Sequence, residues 1–108
     1  MPAEDTKRAL HRTLVHRILH GAGQAPADQR ARAFHDTDVP EPLRPLLGKV
    51  ATASAQVTDA DFATASKAGF SDDELFELVI CAAAGASTRQ YEAGLAALAE
   101  ALADAEAR

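Results

Sequence analysis

The chain has 108 residues, of which 47% are apolar and 5% aromatic, and its formal net charge is −5. That length holds one modest core and no second domain, and an acidic chain poor in aromatic side chains lacks the basic, stacking surface of a nucleic-acid binder. The longest apolar run, Leu78 to Ala86, falls far short of the roughly 20 residues that cross a bilayer. The start, with Glu4, Asp5, Lys7 and Arg8, has no apolar signal region, so a cytoplasmic protein without membrane contact is expected.

Two features of the composition bear on association. Alanine is abundant, and small side chains bury little area each, so at about 25 cal/mol per Å² a lone monomer is marginal and self-association is expected. The charge is also uneven: six basic against three acidic residues give positions 1–35 a net +3, leaving −8 for the rest. A basic front and an acidic rear attract each other within or between chains.

In chain order, the first helix is expected from about Thr6 to His20, stopped by Gly21 and Gly23, with Leu10, Leu14, Val15, Ile18 and Leu19 on one arc. His11 falls inside that arc, as a partly buried, hydrogen-bonded side chain. "HGAGQAPAD" reads as a flexible loop, and Pro26 opens a short helix through Phe34. The prolines of "HDTDVPEPLRP" separate an N-terminal helical arm, residues 1–38, from a helical core, residues 39–108. Leu43, Leu46, Leu47 and Val50 repeat at i, i+3, i+4 and i+7 and predict a helix to about Val57, with Pro45 tolerable in its first turn.

Thr58 with Asp61 three residues on reads as a helix start, and Ser71-Asp72-Asp73-Glu74 is a capping box of the S-x-x-E form. Behind it Leu75, Leu78, Val79 and Ala82, widened by Phe76 and Ile80, describe a central helix. Gly85, Ala86 and Ser87 permit a break or a close approach, after which Leu95, Leu98, Ala99 and Leu102 face a final helix. No strand pattern, heptad array or internal repeat stands out. The fold class is all-α, a bundle of about five to six short helices.

Three landmarks, Lys67-Ala68-Gly69-Phe70, Ser71-Asp72-Asp73-Glu74-Leu75 and the run from Leu78 to Ala86, follow one another in an order that resembles the AhpD-like, or carboxymuconolactone decarboxylase, family over roughly residues 40–102. Counting back from Gly69, the resemblance places Ser54 and Val57 where the family's peroxidases carry their two cysteines, and Asp61 where they carry a histidine. "SAQVTDAD" is on that reading the redox motif with every redox group replaced. A dithiol peroxidase needs one thiolate to attack and another to resolve the oxidised sulfur, and neither is present there.

Candidate chemistry is sparse. Asp59 and Asp61 are the candidates for a general acid/base pair, although capping also accounts for both. Ser54, Gln56, Arg89 and Tyr91 are the candidate ligand-binding residues, with Arg89 placed to clamp an acid of "SAQVTDAD" or an anion in the same cleft. The single Cys81 lies about 240° round its helix from Leu75, near Glu74 and Glu77, where a carboxylate opposes an activated thiolate, and packing at a helix contact or interface is favoured. His16 and His20 share a helix side, but sequence assigns no third ligand, so no metal and no cofactor are expected.

Two functions follow as expectations. The first is a non-redox AhpD-like subunit acting by association, as a homo-oligomer or as the partner of a thiol-bearing relative. The alternative is a cofactor-free enzyme of the decarboxylase type acting on a small organic acid. A lone-thiol role for Cys81 between chains is a third.

Overall fold

The computed structural model describes residues 2–107, with side chains from Thr6 onward, and every regular element among them is helical. Five α-helices run as α1 Pro2–His20, α2 Ala27–His35, α3 Arg44–Thr52, α4 Asp59–Lys67 and α5 Asp72–Ala107. Short 3-10 turns at Glu41–Leu43 and Ser54–Gln56 precede and follow α3.

The helix starts follow the local chemistry. The Ser71 hydroxyl accepts the Glu74 N–H at 3.1 Å and the Glu74 carboxylate accepts the Ser71 N–H at 3.0 Å, a reciprocal box that launches α5. At α4 the Asp61 carboxylate accepts the Thr58 N–H at 2.9 Å and the Thr58 hydroxyl at 3.2 Å. Pro2 occupies the first position of α1, where a missing donor costs nothing, so that helix begins before the expected Thr6.

One core draws on nearly the whole chain. Leu43, Leu46, Leu47, Leu75, Leu78, Cys81 and Ala82 are buried together with Ala25, Ala33 and Phe34. Each fully buried leucine contributes about 1.5–3 kcal/mol relative to an exposed one. The segment 1–38 supplies Ala25, Ala33 and Phe34 to this core, and α2 lies against α5.

Several expectations are corrected. The third helix stops at Thr52 rather than near Val57, because Ala53 leaves the helical region at φ −155° and ψ 60° and the chain turns over Ser54–Gln56. No break occurs at Gly85: α5 continues for 36 residues, about 54 Å at 1.5 Å per residue, and sets the 58 Å long axis of the molecule. Of the two readings of Gly85, close approach is the one that holds. A Cβ there would collide with the Phe34 carbonyl, so glycine lets α2 press on α5. Leu10 and Leu14, expected on the core face of α1, are 66% and 55% exposed, and only Val15, Ile18 and Leu19 of that arc pack inward.

The loop after α1, expected to be flexible, is held from both sides. Arg30, 8% exposed, donates through Nη1 to the carbonyls of Gly21 at 2.7 Å and Ile18 at 3.3 Å, and through Nε to that of Ala25 at 3.0 Å. It thereby serves the C-terminal carbonyls of α1 that no helical donor reaches. From α5, Glu77 accepts the backbone N–H of Gln24 at 2.8 Å and of Ala25 at 2.6 Å. Two charge-assisted anchors thus hold this loop, Arg30 from within the basic front and Glu77 from the acidic rear.

Candidate functional site

The "SAQVTDAD" stretch forms an exposed turn followed by the start of α4. Ser54, Ala55, Gln56, Asp59 and Ala60 are exposed, Val57 is half-buried, and Asp61 is 7% exposed. Lys49 of α3 reaches across to Asp61, with Nζ at 3.0 and 2.9 Å from the two carboxylate oxygens. The ammonium first, and then the Thr58 N–H, hold the Asp61 carboxyl below the usual carboxylate range. A carboxylate so engaged stays ionised and spends its lone pairs on a neighbour and a cap. It is ill suited to pass protons, and Asp59 stands in solvent beside it.

Arg89 and Tyr91 do not join this stretch. Arg89 Nη1 donates to the Phe34 carbonyl at 2.6 Å, near the C-terminal end of α2, instead of clamping an acid. Tyr91 lies against His11, with ring centroids 5.5 Å apart. α4 meets α5 around Phe62, Leu75, Phe76 and Val79, and Arg89 lies ten residues beyond Val79, about 15 Å of helical rise. The expected cleft between the two places is therefore not formed.

Cys81 is in the core, 1% exposed, with Sγ 3.9 Å from the Ile18 carbonyl. Burial pushes its thiol up, Arg30 opposes that, and Glu77 adds to it. A neutral, enclosed thiol is a poor nucleophile. His16 and His20 lie with ring centroids 4.8 Å apart, and among the described residues no three His, Cys, Asp or Glu side chains gather as a metal site requires.

A concavity lies elsewhere, between α1 and the distal half of α5. This groove of about 440 Å³ is lined by Arg8, His11 and Arg12 on one side and by Tyr91, Glu92, Leu95, Ala96 and Ala99 on the other. His11 fixes its inner end: Nε2 is 3.0 Å from Thr88 Oγ1, whose hydroxyl also lies 2.8 Å from the Ala84 carbonyl and donates there. The hydroxyl proton so committed leaves its oxygen to accept, which assigns the proton to His11 Nε2. From Ala96, at the groove's outer part, to Ala107 every residue is exposed, including Leu98 at 53% and Leu102 at 57%. Sequence reasoning marked His11 and the Leu95–Leu102 stripe but missed the groove, because nothing local shows that α1 folds back antiparallel beside a helix some 80 residues later.

Comparison with protein-family models, curated proteins and solved structures finds no match to this chain. No helix among the described residues is long and apolar enough to cross a membrane.

Proposed function

We propose that this chain is a non-redox relative of the AhpD-like proteins that acts by association, as a helical subunit, through the distal part of its α1–α5 pair. One observation carries the reading: the last twelve described residues of α5 stand exposed with Leu98 and Leu102 on an alanine-rich helix. A helix of that length is marginal in water on its own, and an apolar stripe on it gains stability only when another surface covers it. The committed Asp61 and the buried Cys81 thiol both support a role without acid/base or thiol chemistry.

Native mass spectrometry of the full-length protein isolated from its own cells tests this. The expected spectrum contains a homo-oligomer or a defined hetero-complex, and Cys81→Ala leaves it unchanged. A partnerless monomer at every concentration, or a monomer retaining a stoichiometric small organic acid, sinks the association reading.

A further inference from the structure

Resting on that association reading, the geometry points to a second copy of this chain as the occupant of the α1–α5 groove, which receives the C-terminal turns of the other copy's α5 while donating its own. The argument starts from charge. Arg8 and Arg12 against Glu92 leave the groove at about +1, and among the described residues no ion pair joins α1 to α5. Positions 96–108 carry Glu100, Asp104 and Glu106 against the single Arg108, a net of −2. Groove and tail are complementary in sign, with Glu106 the tail acid on the groove's own helical face, and each presents apolar surface to the other: Leu95, Ala96 and Ala99 in the groove, Leu102 and Ala103 on the tail.

Connectivity decides where the tail goes. The helix that ends in the tail is the same continuous helix that walls the groove, so it cannot turn back into its own groove. Only another molecule can bring the two together. The helical phase agrees with a two-fold arrangement: the face holding Glu92, Leu95, Ala96 and Ala99 continues, at steps of three and four, through Leu102, Ala103 and Glu106. An antiparallel crossing at Ala99 sets Ala96 opposite Leu102 and Leu95 opposite Ala103. It also brings Glu106 of the second copy toward Glu92, beside Arg8 and Arg12, so two cations serve two anions. The small side chains of Ala96, Ala99 and Ala103 permit close helix approach, and such a contact is isologous and self-limiting. The groove's volume suits the side chains of one helical turn rather than a whole helix, as this packing requires.

Sedimentation velocity of the full-length chain over a concentration series tests the inference, with circular dichroism as the check on folding. The wild type is expected to form a dimer, and Ala99→Glu, on an exposed site away from the core, to weaken it at least tenfold. A chain with Arg8→Glu and Arg12→Glu should fail to self-associate, as should one with Glu100→Lys, Asp104→Lys and Glu106→Lys. Mixed, these two should form a one-to-one heterodimer, because each groove then faces a tail of opposite sign. A dimer indifferent to Ala99→Glu and to both charge reversals overturns the inference. A complex with a different protein and no self-association also overturns it while leaving the association reading intact, whereas a partnerless monomer removes both.

Discussion

Between Leu75 and Gly85, α5 turns five buried residues toward its neighbours, whereas from Ala96 to Ala107 the same helix turns none. Both stretches are rich in alanine and leucine, so composition does not separate them. What separates them is whether α2 and α3 lie alongside. The two glycines of this helix show the difference at the scale of one methyl group: a Cβ at Gly85 meets the Phe34 carbonyl, while a Cβ at Gly94 meets nothing within 4 Å. A glycine inside a helix costs about 0.5–1 kcal/mol relative to alanine. At Gly85 the contact with α2 offsets that cost, and at Gly94 nothing within the chain does.

The contrast can be broken most severely in the proximal half. Leu78→Ala removes a side chain with no exposed surface and should cost about 2–5 kcal/mol in denaturant unfolding. Leu98→Ala, in the dilute monomer, should stay within about 0.5 kcal/mol of wild type. Next in size, Gly85→Ala should force α2 away from α5 and destabilise by about 1–3 kcal/mol, read as a lowered thermal midpoint, about 4–8 °C for each kcal/mol.

A third test concerns two carboxylate anchors, one joining the proximal half of α5 to the loop after α1 and one joining α4 to α3. The Ala25 and then the Gln24 N–H hold the Glu77 carboxyl below its ordinary range, as Lys49 and Thr58 do for Asp61, and in both cases partial desolvation opposes the shift. A carboxyl whose folded pKa is depressed adds stability above its unfolded pKa and loses it as pH falls through the folded value. The urea midpoint should therefore hold near neutrality and fall as pH drops through and below the ordinary carboxylate range. The double variant Asp61→Asn, Glu77→Gln should be less stable near neutrality, with a flatter acid limb. Equal acid slopes for the variant and the wild type would dissociate these two groups from the fold's acid sensitivity. The smallest effect belongs to Gly94→Ala, which should raise the thermal midpoint of the dilute monomer by the equivalent of at most about 1 kcal/mol. A loss there comparable to that of Gly85→Ala would mean that the two halves do not differ in the way described.

Legibility followed the range of the interactions. Ser71 with Glu74 and Thr58 with Asp61 each act across three residues, and their helix starts stood where the sequence placed them. Arg30 counted only as one charge among several, because its acceptors at Ile18, Gly21 and Ala25 share no pattern with it. Glu77 acts on Gln24 and Ala25 across more than fifty residues. In the candidate site the capping role of Asp61 was legible, whereas its Lys49 partner and the donation of Arg89 to α2 were not. At Gly85 the sequence left a break and a close approach open, and the tertiary structure chose the second, because neighbouring α2 uses the space a side chain would fill.

By itself, then, the sequence determined an all-helical chain, the starting points of its capped helices, the apolar stripe of Leu75, Leu78 and Ala82, and the absence of a Cys-x-x-Cys pair. These follow from spacings of three or four residues, the reach of one helical turn. Tertiary structure alone decided which apolar residues are covered, packing Val15 and Ile18 partly against the core while leaving Leu14 and Leu98 in water. It also decided that Asp61 meets Lys49 and that α1 and α5 part to leave a groove. Those outcomes depend on which surfaces packing brings together, and two helices with similar stripes differ in burial according to the neighbour each one finds.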